Sequence, residues 1–109
     1  MTAKDCILGR RSIRKFKADA VSHELLSEIV ETASYAPSWK HTQITRYIAV
    51  EGALKDRIAR ECTTMYPPNG DIIAAAPVLM AVTIIKNRSG YERDGSFSTP
   101  RGDGWQMYD

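Results

Sequence analysis

The chain has 109 residues, which allows one small domain and leaves little room for a large core of its own. Hydrophobic residues make up 43% and charged residues 26%, a balance that excludes a disordered tail. Fifteen Lys and Arg against thirteen Asp and Glu give a formal net charge of +2, too mild to indicate nucleic acid as a partner.

Residues 4–9 form a short helical lead-in, with Ile7 and Leu8 as its apolar side. A basic cluster follows at once: Arg10, Arg11, Arg14, Lys15 and Lys17. Ser22 reads as an N-cap, since its hydroxyl can accept bonds from the free amides of a first helical turn. Leu25, Leu26, Ile29, Val30 and Ala33 then recur at helical spacing, with Glu24, Glu28 and Glu31 off that face. Pro37 is expected to end this helix, because it lacks a donor and clashes with the preceding turn.

Residues 46–51 (RYIAVE) read as a strand, and Gly52 breaks it. The spacing of Leu54, Ile58 and Cys62 predicts a helix over 53–62. Tyr66-Pro67-Pro68-Asn69-Gly70 is a turn signal, and 71–76 reads as a short helix running into Pro77. Residues 78–85 (VLMAVTII) are nearly all apolar, as expected of a strand covered on both faces. A long surface loop is expected over 87–104, and Trp105 opens a further helix. Two strands and about three helices leave sheet edges uncovered, so the fold calls for more chain, a partner chain, or both.

The longest apolar run, 72–85, is broken by Pro77, and nothing resembles a signal peptide or reaches bilayer-spanning length. A cytoplasmic protein with no membrane contact is the expectation. Cys6 and Cys62 match no metal-ligand spacing and read as unpaired thiols, so no metal site is expected.

Two stretches could carry chemistry. In Arg10-Arg11-Ser12-Ile13-Arg14-Lys15-Phe16, guanidinium forks match phosphate oxygens and the serine hydroxyl adds a directional donor. Taken alone, the same cluster also reads as a solvated basic edge. In Ala36-Pro37-Ser38-Trp39-Lys40-His41-Thr42-Gln43, a hydroxyl, an imidazole and a carboxamide follow a proline on a rigid bend. These groups could address the polar edge of a planar ring, with Trp39 as a flat wall, or could be an ordinary capped turn.

Together, RRSIRKF and APSWKHTQ resemble the phosphate-binding opening and the flavin-contacting bend of the FMN-dependent nitroreductases. The strand RYIAV and the segment NGDIIAAAPVLMAV follow in that family's order. The resemblance covers essentially the whole chain, read as the N-terminal part (1–109) of a single nitroreductase-like domain. It implies an α+β fold, a mixed sheet flanked by helices, incomplete in this chain and completed by dimerisation or by a further C-terminal part. It also implies that Arg10 and Ser12 contact the FMN phosphate or ribityl chain, with Arg11 in support. Arg14 would lie near the pyrimidine edge of the flavin, where a cation favours the electron-rich reduced form. Pro37, Ser38 and His41 would touch the isoalloxazine ring, usually from the opposite protomer of a homodimer. Gln43 would bond the flavin or brace the bend, and Asn69 falls where some relatives place a flavin-contacting amide. No catalytic acid or base is obligatory, because the flavin carries the chemistry.

The activity so implied is ping-pong reduction of nitroaromatics, quinones or similar flat acceptors by NADH or NADPH. The chain departs from the family pattern in having His41 where the usual residue is Asn. Relatives are roughly twice as long and include a distal basic phosphate ligand, so this chain by itself is expected to be a poor enzyme. The competing readings are a small basic module for nucleic acid or an acidic partner, and an inactive truncated remnant.

Overall fold

In the computed structural model the backbone of residues 1–109 is described, together with every side chain except those of 107 and 108. The element order is α1 (Ala3–Gly9), α2 (His23–Ala33), β1 (Thr45–Val50), α3 (Gly52–Glu61), α4 (Pro67–Ala75), β2 (Leu79–Ile84) and a 3₁₀ helix over Gly102–Tyr108. The α+β class expected from the sequence is what the chain adopts. Its strands form an antiparallel pair running from Thr45↔Ile84 to Val50↔Leu79, so a mixed sheet does not arise among the described residues. The chain divides into two compact units, Met1–Ala20 with Glu51–Val78, and Val21–Val50 with Leu79–Asp109.

In the first unit, Thr2 caps α1 reciprocally with Asp5: the threonine hydroxyl accepts from the Asp5 amide at 3.2 Å, and the Asp5 carboxylate accepts from the Thr2 amide at 2.8 Å. The bond from the Thr2 amide, and then one that the Thr2 hydroxyl donates to the same carboxylate at 2.8 Å, hold the Asp5 carboxyl below its ordinary pKa. The same unit pairs α3 with α4 at close range. A methyl group on Gly70 would come within 2.5 Å of Thr63 Oγ1 and 2.6 Å of the Ala59 carbonyl oxygen, so only glycine fits this crossing. The turn expected at 66–70 is instead the opening of α4. Pro67 and Pro68 sit in its first turn, where their missing amides cost nothing, and their fixed φ starts the helix.

Lys55 closes the other end of α4. Its side chain is 7% exposed, yet its ammonium donates to the carbonyls of Ile73 and Ala74, both at 3.0 Å, and pairs with Asp56 at 2.8 Å. A cation on the last carbonyls of a helix satisfies acceptors that have no intrahelical partner and complements the helix dipole.

In the second unit, Ser22 caps α2 as expected, its hydroxyl accepting from the Leu25 amide at 3.2 Å. The helix ends earlier than Pro37. Ser34 stops it, with its amide on the Val30 and Glu31 carbonyls and its hydroxyl on Glu31 O at 2.6 Å. A serine hydroxyl competes with the helical ladder in this way, so the chain is already turning when it reaches the proline. The buried residues of this unit include Leu26, Ile44 and Val50. Leu25 and Ile29, on the predicted apolar face of α2, are 47% and 52% exposed. Strand β2 is not covered on both faces either: it has one hydrogen-bonded neighbour, and Val82 is 61% exposed.

Within the long surface loop expected over 87–104, residues 90–98 fold into a hairpin. Glu92 and Ser96 bond through their backbones at 2.8 Å, Ser98 donates to Gly90 O at 2.8 Å, and Tyr91 bridges Phe97. Ser89 and Gly90 are buried at its base, and a side chain at Gly90 would strike the Gly102 carbonyl.

Replacing Lys55 by Met keeps most of the volume but removes the ammonium donor from the Ile73 and Ala74 carbonyls, a cost of about 1–3 kcal/mol. Arg57→Met removes only an exposed i,i+4 pair with Glu61 and should change stability by less than about 0.5 kcal/mol. Urea unfolding of the two variants checks this, and equal effects would mean that Lys55 does not cap α4.

Candidate functional site

The basic cluster and the bend belong to different compact units. Residues 10–20 have no regular secondary structure and are exposed throughout. The Arg11 guanidinium donates to the carbonyls of Leu8 at 3.0 Å and Arg10 at 2.8 Å, and Arg14 donates to Ser12 O at 3.4 Å. Carbonyl partners orient a guanidinium without cancelling its charge. The segment therefore presents positive groups and the Ser12 hydroxyl to solvent. Asn69 lies in the first turn of α4 in the same unit, exposed, with its backbone N–H donating to Tyr66 O at 3.0 Å.

The bend leads from the end of α2 into β1. Pro37, Ser38, His41 and Gln43 line one cleft of about 590 Å³, with Tyr47 and Val82 of the two strands as apolar wall. That volume and mixture of groups suit a small-molecule site. His41 and Gln43 both have left-handed backbone, φ 51° and 55°. Non-glycine residues adopt this conformation in only a few per cent of cases, so something must hold it.

What holds it is Asp109. One of its carboxylate oxygens accepts from the Ser38 hydroxyl at 2.9 Å, the Thr42 amide at 3.0 Å and the Lys40 amide at 3.2 Å. The other accepts from the Thr42 hydroxyl. Ser38 Oγ in turn accepts from the His41 amide at 2.9 Å. Partial burial pushes the Asp109 carboxyl upward, but the bonds from Thr42, Ser38 and Lys40 outweigh it and hold the group below the usual aspartate value. The Ser89 hydroxyl, fully buried, also faces this carboxylate, outside the bonding geometry of the other donors.

Two further contacts fix the bend. Trp39 stacks on Trp105 with centroids 5.1 Å apart and planes at 27°. Lys40 reaches into the hairpin, donating to Ser98 Oγ at 2.7 Å and Tyr91 O at 3.1 Å, with Glu92 at 3.4 Å. The Ser98 hydroxyl and Lys40 lower the Glu92 carboxyl. The imidazole Nε2 of His41 lies 3.2 Å from Gln43 Nε2. With the carboxamide nitrogen as donor, His41 Nε2 accepts and the ring proton sits on Nδ1.

Four residues named from the sequence, Pro37, Ser38, His41 and Gln43, thus share one cleft. Asp109, Thr42 and the Trp105 partner of Trp39 were not foreseen. Asp109 lies 67 residues from Thr42, and an aspartate at the edge of a Gly-rich segment gives no local sign of where its carboxylate points.

Among the described residues, no group of His, Cys, Asp and Glu could hold a metal ion, and no helix is long and apolar enough to cross a membrane. Cys6 and Cys62 are free and exposed.

The Nitroreductase family model matches residues 7–71. The chain is 38% identical to Nitroreductase NfnB of Mycolicibacterium smegmatis over 64 residues, 59% of this chain and 27% of that protein. It is 41% identical over 61 residues to a protein named NADH dehydrogenase from Thermus thermophilus, covering 56% of this chain and 30% of that protein. A Nitrobenzene nitroreductase of Ectopseudomonas oleovorans shares 36% identity over 62 residues, 57% of this chain and 27% of that protein. The match thus spans between a quarter and a third of the length of these relatives. The matched residues hold the basic cluster, α2, the bend, β1, α3 and the opening of α4, which are part of the family's α+β fold. On this evidence the chain belongs to the Nitroreductase family.

Proposed function

We propose that this chain is part of an FMN-dependent oxidoreductase that takes reducing equivalents from NADH or NADPH and passes them to nitroaromatics, quinones or similar flat acceptors. The observation that carries this reading is the cleft shared by Pro37, Ser38 and His41, which the family pattern assigns to the flavin ring, and Gln43, which it assigns to the flavin or to bracing the bend. The names of the relatives support a redox activity.

The residues present fit the cofactor chemically. Arg10, Arg11 and Ser12 are exposed donors on a segment without regular structure, which suits a phosphomonoester. The cleft offers apolar wall from Tyr47 and Val82 and polar groups from Ser38, His41 and Gln43, which suits the polar edge of a planar ring. Bound FMN would supply the hydride chemistry. This chain's residues would bind and orient it, with Arg14 favouring the electron-rich form through its charge. Asn69 is a further contact in this reading, as an exposed amide at the start of α4.

We place the flavin between two copies of the chain, with the bend of one protomer serving the flavin of the other. Exposed apolar side chains on α2 and on both strands (Leu25, Ile29, Ile48 and Val82) support an apolar partner surface of this kind. The same reading places the protein in the cytoplasm. A basic module for an acidic partner is the second reading, favoured by the exposure of Arg10, Arg14, Lys15 and Lys17. Its mark would be retention on an oligonucleotide column that falls steeply with salt.

His41 stands where the family pattern has Asn, and its φ of 51° gives that position a backbone requirement apart from any ligand. Asn and His both enter the left-handed region several-fold more often than other residues, whereas a β-branched side chain there is a true outlier. His41→Asn should therefore leave stability within about 0.5 kcal/mol of the original, and His41→Val should cost about 1–3 kcal/mol. Chemical denaturation distinguishes them, and a silent His41→Val would show that the bend is not held in this form.

Arg10→Ala should weaken FMN binding about tenfold while leaving riboflavin affinity unchanged, since a charge-assisted phosphate bond contributes about 1.5–3 kcal/mol. Flavin fluorescence titration measures both. An unaltered FMN affinity would remove Arg10 from the site. By light scattering, the flavin-loaded protein should have the mass of a dimer at micromolar concentration. A monomer holding stoichiometric FMN would rule out the shared site.

A further inference from the structure

We propose that Asp109 is the positioning residue of the ring-facing bend: its carboxylate gathers the Lys40 and Thr42 amides with the Ser38 and Thr42 hydroxyls, and so sets the shape in which His41 and Gln43 meet the flavin. This inference rests on the FMN reading and adds to it a residue that neither the basic cluster nor the bend contains.

The chemistry of the bend supports it. The Lys40 and Thr42 amides flank His41 and converge on a single oxygen of Asp109, at 3.2 and 3.0 Å. Convergent amides around a left-handed residue form a concavity that binds anions. Here the anion is a side chain of the protein itself. A neutral acceptor would draw these donors less strongly than an ionised carboxylate, which has lone pairs for all four bonds. The His41 amide is taken as well, by Ser38 Oγ at 2.9 Å, and that hydroxyl is itself fixed by donating to Asp109 at 2.9 Å.

Three consecutive amides, of Lys40, His41 and Thr42, are therefore spent inside the protein. It follows that the bend addresses a ligand through side chains, above all the mutually bonded imidazole of His41 and carboxamide of Gln43. Asp109 decides where those two side chains start. Without it, the paired amides lose their acceptor, and His41 and Gln43 lose the bonds that offset their left-handed backbone.

The test uses Asp109→Ala and Asp109→Asn in the full chain, with Val50→Ala as a core variant destabilised away from the bend. In cofactor-free protein, hydrogen exchange at the Lys40 and Thr42 amides should accelerate about tenfold or more in Asp109→Ala, with α3 unchanged. Affinities for FMN and riboflavin should fall by the same factor, about tenfold, because the ring and not the phosphate is affected. Asp109→Asn, which keeps one carbonyl acceptor, should recover part of both losses. Unchanged exchange at Lys40 and Thr42 in Asp109→Ala overturns the proposal, as does flavin affinity that falls equally in Val50→Ala. If the original chain binds neither flavin, the FMN reading falls in that first measurement, and the exchange data alone decide whether Asp109 holds the bend.

Discussion

A carboxylate reaching across the fold to a strained turn is the interaction on which the candidate site depends. Left-handed backbone at two non-glycine residues is unfavourable, by about 1–3 kcal/mol each, and short turns do not keep it unaided. Asp109 offsets that cost with four hydrogen bonds, three of them on one oxygen. The Trp39–Trp105 stack and the Lys40 bonds to the hairpin add independent ties, so the bend is held from several directions. Preorganisation of this kind lets a ligand bind without first ordering the loop that receives it.

The basic cluster works on the opposite principle. Residues 10–20 are exposed, and the bonds described for Arg11 and Arg14 go to carbonyls of the same short segment. In water such cations gain little from one another and repel at close range, so a dianionic phosphate is the natural counter-charge. In the proposed function, a rigid, internally bonded bend serves a ring and an exposed cluster serves a phosphate, which divides the recognition of a flavin nucleotide between shape and charge.

Much of this could be read along the chain, and the reasons for the failures are physical. The Ser22 cap, α2, α3 and both strands were legible because they depend on local periodicity and capping, which neighbouring residues encode. The motifs Arg10 to Phe16 and Ala36 to Gln43 pointed to the family that the chain belongs to. Pro67 and Pro68 were misread as a turn because two prolines at a helix start and two prolines in a loop look alike until the following residues are placed. Asp109 was illegible for a different reason. Its partners lie 67 to 71 residues away, and a carboxylate that serves the backbone leaves no spacing or pattern to find.

In the proposed function, the arginine cluster takes the phosphate of a flavin and the bend serves the ring of the flavin held by the other copy. Equilibrium dialysis of FMN against the purified chain, with riboflavin and with inorganic phosphate as competitors, tests it most directly. The account predicts saturable FMN binding that riboflavin displaces and that concentrated phosphate weakens. Free passage of FMN across the membrane at equal concentration on both sides would contradict it.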